Sequence, residues 1–479
     1  MTAPHPALPA KIHPLVRAFL DSRDDVDRAV RRAGTPTHLV FPQVFAENVA
    51  RLRDVLTPRS PRYRICYAHK VNRSRAFVAA AHAAGIGIDV ASPWELHGAL
   101  AAGFAPSRIE VTGPKGEAFL RELVRCGVTV NVDNMWELTR LTELAEDGAQ
   151  VPVLLRISGF ASTPVSRFGI PVDHAADALN LAATHRGRIT FRGFAFHLDS
   201  GEIAERVRAI DACLTLVESA YAAGLSPTVL NIGGGLRQVF TADADRFDAY
   251  VHALRDSLLG RGERMSWADN TFGYHVDDAA VHGTPVFHKY ANTVPADRML
   301  ADLLDAPLDR HAGRPVAAVA ADNLLDLWLE PGKALVDHAG ITVARVEFTK
   351  ELADGTVLVH VDLSRDAVTP ADQEVMVDPL LLATAPADPG PVGVFLAGRL
   401  CLERDLITQR KVWLPHRPGP GDLLVFPNTA AYHSDLSAAS ASRWPAAAKF
   451  AVVHRGGEFE ICPDDEYSPV AARNGAEVM

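Results

Sequence analysis

The stretch "RYRICYAHKVNRSRAFVAAAHAAGIGIDVASPWELHGALAAG", residues 62–103, decides the fold. "RYRICYAHK" and "GIGIDV" are apolar, β-branched runs that read as buried strands, the first ending on Lys70 with Asn72 just behind it. "SRAFVAAAHAAG" and "PWELHGALAAG" are Ala/Leu-rich and have helical period. Strand, helix, strand, helix implies parallel strands joined by crossover helices. The pattern continues outward through "RIEVTG", "VTVNVD", "VPVLLRIS", "ITFRGFAFHL", "TVLNIGGG" and "LWLEPG". About eight such units in roughly 300 residues predict a closed (β/α)8 barrel. An open doubly wound sheet is the alternative, but its usual signal, GxGxxG directly after the first strand, is missing.

The barrel pattern spans residues 36–335. An interval at about 240–320 breaks it: "RFDAYVHALRDSLLG" reads as a helix, followed by the aromatic- and His-rich "SWADNTFGYHVDDAAVHGTPVFHKYANTVP". This is an insertion on the upper face, serving either packing and dimerisation or as a lid and substrate wall. Residues 336–479, together with 1–35, read as a second, β-rich domain: "GITVARVEFTKEL", "GTVLVHVDLS", "GPVGVFLAG", "GDLLVFPN" and "KFAVVHRGGEFEIC" are short strands with turn punctuation. The tail after Pro463 is polar and reads as frayed.

Of 479 residues, 48% are hydrophobic, enough for a large core and two domains. The net charge of -10 and the lack of any basic stripe exclude nucleic acid as a natural partner. "MTAPHPALPAKIHPL" lacks a secretory apolar segment, and no apolar run reaches the roughly 18 residues of a membrane span. Five scattered cysteines (Cys66, Cys126, Cys213, Cys401, Cys462) with no CxxC pair argue against a disulfide framework or a zinc site, and for a cytoplasmic protein.

In a barrel of this kind, chemistry collects where strands end. Strand one gives Lys70; strand two gives Asp89, then Ser92 and Glu95; strand five carries Arg156. Strand six ends on His197, Asp199 and Ser200, strand seven on Gly233, Gly234 and Gly235, and strand eight on Glu330, Pro331, Gly332 and Lys333. Singly, each has a bland reading: a salt-bridged lysine, a structural histidine, a turn, a solvated acid, and at Cys401 a buried filler. Together they suit pyridoxal 5'-phosphate (PLP). A lysine holds its aldehyde, glycine amides hold its phosphate, and a carboxylate keeps its pyridine nitrogen protonated; a histidine can pack on the ring.

The sequence resembles the fold-type III PLP-dependent decarboxylases (diaminopimelate, ornithine and arginine decarboxylases) from about residue 36 to 455, the insertion excepted. "YAHKVN" resembles YAxKAN, "DVASPWEL" the DxAS…E segment, "SRFGI" (at Arg167, Phe168 and Gly169) the (S/T)KFG motif, "FHLDSG" FHVGSG, "LNIGGGL" LDIGGGF, "EPGK" EPGR, "CLERD" CxxxD and "GDLLVFPNTAAY" GDxxxFxxxGAY. The resemblance implies an alanine-racemase-like barrel plus a C-terminal all-β domain, and a homodimer acting on a small-molecule amino-acid substrate. It makes Lys70 the Schiff-base lysine, stacks His197 on the cofactor, puts Ser200 and Tyr432 near its phosphate, and sets Glu330 on the pyridine nitrogen. Asp89, Arg156 and the three glycines complete the cofactor site, while Lys333, Glu403 and Asp405 are candidates for substrate contact. Cys401 and Asp405 would reach into the partner's site, with Cys401 donating a proton. Three departures stand out: Leu402 occupies the place of an acid that holds a distal ammonium, Lys333 replaces an arginine, and the insertion is large. Neighbouring Glu403 or Arg404 is the possible substitute for the missing acid. The implied reaction is decarboxylation of an amino acid other than diaminopimelate or ornithine. An amino-acid racemase or epimerase and a non-catalytic PLP-binding protein are the alternatives.

Overall fold

A computed structural model describes residues 5–469 except 146–149, 162, 164, 242, 370–373, 375–376, 385–389 and 436–440. The tail from residue 470 lies outside the described residues. Eight parallel strands close into a barrel: Tyr63–Ala68, Gly87–Val90, Ile109–Val111, Thr129–Val132, Val151–Ser158, Ile189–Ala195, Val229–Asn231 and Asp326–Leu329. The last pairs with the first, Leu327 opposite Tyr63, which removes both sheet edges. Apolar residues fill these strands because helices cover the outside and side chains fill the inside.

Local signals fix the turn from strand to helix at the mouth. Ser92 caps helix Pro93–Ala101 by accepting from Glu95 N, while the Glu95 carboxylate accepts from Ala91 N at 2.7 Å. Asn134 and Glu137 repeat the arrangement at helix Met135–Leu144, with Glu137 accepting from Asp133 N at 2.9 Å. These reciprocal bonds satisfy helix-end donors and lock the loops. Ser92 and Glu95, grouped with the polar strand ends in the sequence, are therefore a helix cap.

The strand Thr37–Val40, which the strand–helix rhythm assigns to the barrel, pairs instead with the second sheet. It lies antiparallel to Gly340–Glu351 and parallel to Ala448–Arg455. Strands Val357–Val361, Val392–Ala397, Val412–Leu414 and Leu423–Pro427 extend that sheet around a separate apolar core that includes Val346, Leu396 and Phe426. Helices Pro14–Asp21 and Arg23–Ala33 precede Thr37–Val40, so the N-terminal segment belongs physically with the C-terminal one.

Between the seventh and eighth barrel strands, helix Ala244–Leu258 and the segment after it build a third core of Phe247, Tyr250, Leu254, Phe272, Phe287 and Tyr290, shared with Leu8 and Val377. This unit is stitched to the β domain: Tyr250 Oη donates to Lys411 O at 3.0 Å, and Trp267 N donates to Gln409 O at 2.7 Å. Beneath it the fully buried Arg410 pairs with Asp378 at 2.8 Å, and Asp378 also accepts from Leu8 N at 2.8 Å. Removing one member of a buried ion pair leaves the other charge desolvated. Arg410→Met is expected to cost about 3–5 kcal/mol in denaturant unfolding; a loss under about 1 kcal/mol would show that the pair does not hold the inserted unit in place.

Candidate active site

The first barrel strand stops at Ala68, and one 3-10 turn, His69–Val71, carries Lys70 out into an open cavity. Lys70 is exposed rather than buried, so the cost of desolvating a lysine inside a core never arises. Asn72, fully buried, anchors the turn. Its amide donates to Ala430 O at 2.7 Å, and its side-chain oxygen accepts from Ser74 N at 2.9 Å and from Lys449 Nζ at 2.7 Å. Tyr432 N donates to Val71 O at 2.9 Å, with Tyr432 in the left-handed region at φ 64°. The β domain thus delivers Tyr432 to the barrel mouth.

A cavity of about 250 Å³ opens here, walled by Lys70, His197, Gly235, Glu330, Lys333 and Tyr432. A second, of about 670 Å³, adjoins it along Lys70, His197 and Asp199 and runs past Arg156, Arg167 and Ser200. The glycine loop is packed as tightly as backbone permits. A Cβ on Gly234 would lie 2.3 Å from Glu330 O, and one on Gly235, at φ 77°, would lie 2.1 Å from Leu198 O. Gly233 N donates to Asn231 Oδ1 at 2.8 Å and Gly234 N to His197 Nδ1 at 3.3 Å, so Gly235 is the glycine that lines the cavity.

Because His197 Nδ1 accepts a hydrogen bond, its proton sits on Nε2. Burial, then the nearby Lys70 and Arg156 charges, push its pKa down to about 3, so the ring is neutral at ordinary pH. Arg156 faces Asp133 at 3.6 Å, and its guanidinium lies 4.7 Å from the Phe168 ring; Arg167 covers the same ring at 3.9 Å. Gly169 N donates to Asp133 Oδ1 at 3.1 Å. Lys333 Nζ bonds Asp199 Oδ1 at 2.5 Å, so the lysine that departs from EPGR meets the aspartate that departs from FHVGSG. Burial raises the Tyr432 phenol above its usual range.

Below Lys70, Asp89 is buried with both carboxyl oxygens unpartnered, and burial, then Glu330, raise its pKa well above the carboxylate range. Glu330 accepts from Asn231 Nδ2 at 2.7 Å and Asn131 Nδ2 at 3.4 Å. Those amides, and Glu110 beside them, were not singled out from sequence. The one signal was a charged residue in the middle of "RIEVTG". Arg206, also missed, is buried in its helix and braces the His197 loop by donating to Leu198 O and Ser200 O.

Cys401, Leu402, Glu403 and Arg404 are exposed on a loop after Val392–Ala397 and do not line either cavity of their own chain. Asp405 is buried, and its carboxylate accepts from Arg365 N and Leu400 N at 2.7 Å each, so it closes that loop. Among the described residues no His/Cys/Asp/Glu cluster could hold a metal ion, and no helix is long and apolar enough to cross a membrane.

This donor set fits PLP: an accessible lysine, a glycine loop with no room for side chains, a neutral imidazole and the buried Glu330 carboxyl share one cavity. Residues 45–264 match the family model "Pyridoxal-dependent decarboxylase, pyridoxal binding domain". The chain is 34% identical over 440 residues to the uncharacterized protein y4yA of Sinorhizobium fredii, covering 90% of this chain and 91% of the relative. It is 27% identical over 395 residues to the diaminopimelate decarboxylase of Vibrio cholerae, covering 78% and 77%. The fold matches diaminopimelate decarboxylase from M. jannaschii in complex with L-lysine, with TM-score 0.69, 18% identity and coverage of 95% and 94%. It also matches the arginine decarboxylase of Paramecium bursaria Chlorella virus bound to agmatine, with TM-score 0.66, 19% identity and coverage of 90% and 99%. A closed barrel joined to an all-β domain is thus shared along nearly the whole chain, and the protein belongs to the fold-type III PLP-dependent decarboxylases.

Proposed function

We propose that this chain decarboxylates an amino acid other than diaminopimelate or ornithine, in the cytoplasm, as a homodimer whose subunits share active sites. The convergence of Lys70, His197, Gly235, Glu330 and Tyr432 on one cavity carries this reading. Bound there, PLP supplies an electron sink for the pair left on Cα when the carboxyl group departs as CO2. Lys70, on its exposed turn, is the amine that holds the cofactor's aldehyde and yields it to substrate. Glu330 would face the pyridine nitrogen, with buried Asp89 as its neighbouring acid. Gly235, Ser200 and Tyr432 are the phosphate contacts; Gly233 and Gly234 shape the loop through Asn231 and His197. Arg156 stays beside Asp133 at the rim. His197 presents a neutral face, so it packs on the ring without adding positive charge.

Cys401 from the second subunit is the proposed proton donor to Cα, and Glu403 or Lys333 the contact for the substrate's far end. Leu402 supports a substrate without a distal ammonium, because a leucine beside it offers no counter-charge. Lys333 is held by Asp199, which points it along the shared wall of the two cavities.

Borohydride reduction of the PLP-loaded protein, followed by peptide mass spectrometry, is expected to leave the pyridoxyl group on Lys70, and Lys70→Ala to abolish turnover. Label at another lysine, or full activity in that variant, would remove the assignment. With a panel of amino acids of both hands in D2O, the expected product has lost CO2 and gained one deuterium at Cα. Exchange without CO2 loss would establish a racemase instead. Cys401→Ala is expected to lower kcat about 100-fold or more with PLP retained; an unchanged rate would assign the proton to another group.

His197 should stay neutral through the working range. Its folded pKa lies below the unfolded value of about 6.5, so the stability it contributes is whole above about pH 6.5 and is lost as pH falls toward 3. Its imidazole NMR signals are expected to show no protonation step between pH 8 and pH 5; a step near 6.5 would mean that the ring is solvated.

A further inference from the structure

Glu110 lies in the third barrel strand, fully buried, and no role given above uses it. Its carboxyl is grasped by the same two amides that hold Glu330. Asn231 Nδ2 lies 2.8 and 3.0 Å from the two Glu110 oxygens and 2.7 Å from Glu330 Oε1. Asn131 Nδ2 lies 3.2 Å from Glu110 Oε1 and 3.4 Å from Glu330 Oε1. The two acids are therefore clamped against each other by donors from the fourth and seventh strands. The other groups facing them are Asp89, whose oxygens are buried without a partner, and the buried Cys66 thiol; Lys70 and Arg156 act on Asp89, and Arg64 acts on Cys66.

Two touching carboxylates shut away from water cannot both ionise at ordinary pH. An amide nitrogen supplies only donors, so it does not choose which acid keeps the proton. Position does: Glu330 opens on the cavity that Lys70 lines and where a pyridine N–H would lie, whereas Glu110 is buried outside both cavities.

We infer that Glu110 is a positioning residue kept as the neutral acid, donating its O–H to Glu330, so that the pair carries one negative charge aimed at the pyridine nitrogen. This rests on the PLP reading. A carboxylate that already accepts an O–H is a weaker base, so Glu110 tempers how firmly Glu330 holds the ring proton and thereby sets the strength of the electron sink. It also fixes the rotamer of Glu330 without a second charge under the ring.

The infrared spectrum of the protein, taken before and after PLP loading, tests the proton directly. Buried Asp89 contributes its own neutral-acid C=O band, and a second such band, from Glu110, is expected in the wild type and should be missing from Glu110→Gln while the Asp89 band stays. With 15N-labelled PLP, Glu110→Gln, which keeps a neutral donor, should leave the pyridine nitrogen resonance and its pH profile at the wild-type position. Glu110→Leu, which removes the donor, should move that nitrogen toward its protonated value and extend the pyridinium form to higher pH. An unchanged acid band in Glu110→Gln, or a nitrogen signal that ignores the leucine, would overturn the inference. Failure of the wild type to take up PLP on Lys70 would instead overturn the functional reading, which the infrared band does not depend on. Should Glu110→Leu fail to fold, the Gln variant still decides through both readouts.

Discussion

The structure depends on the buried side chain of Asn72. It bonds the β domain through Ala430 O and Lys449 Nζ, and it bonds the start of the next barrel helix through Ser74 N. Its backbone oxygen accepts from Tyr67 Oη within the barrel core. One amide therefore joins the end of the first strand, the first helix cap and the second domain. Lys449 is also held by Asp435, which accepts from Arg73 N as well, so the junction is charge-balanced as well as hydrogen-bonded. Set on that junction, Lys70 projects from a single turn whose backbone is anchored, and Tyr432 reaches that turn from a strand system more than 350 residues away. The lysine can be exposed because the asparagine behind it is not.

Charge is arranged around this point with economy. Three acids, Asp89, Glu110 and Glu330, lie beneath the cavity, and burial works against ionising all of them. Above them His197 is held neutral and Lys333 is matched to Asp199, while Arg156 faces Asp133. The field at the centre of the cavity is then set by Lys70 and by whichever acid is ionised below it. A cofactor whose work is to withdraw electrons responds to that balance, which is why a proton on the deepest acid has chemical weight.

Much of this was legible in sequence. Eight strand–helix units are local patterns, and local periodicity is what sequence reports best. The ends of those strands named Lys70, His197, Gly235 and Glu330, all of which line one cavity. What escaped was non-local or hidden by the same patterns. Thr37–Val40 looks like any apolar strand, and its partners at Gly340–Glu351 and Ala448–Arg455 lie hundreds of residues on. Glu110, Asn131 and Asn231 sit inside runs that read as core, where a polar residue is easily passed over. Ser92 and Glu95 looked like site residues because a helix cap and a binding loop draw on the same polar types at the same strand ends.

A proton must replace CO2 on Cα. Within one chain the candidates at the cavity are poorly suited. His197 is neutral, and its Nδ1 is engaged with Gly234. The Tyr432 phenol is held above its usual range and gives up a proton reluctantly. Lys70 is released once the aldehyde is on substrate, and its task there is to take the aldehyde back from product. The thiol of Cys401 has none of these restraints, yet it stands exposed on a loop whose rigidity comes from Asp405 gripping Arg365 N and Leu400 N. In the homodimer proposed above, this braced loop would present its thiol and its exposed leucine to the site of the second copy. On that view, Asp405 acts in substrate handling by holding the loop in shape, and Leu402 sets what the far end of the substrate can be.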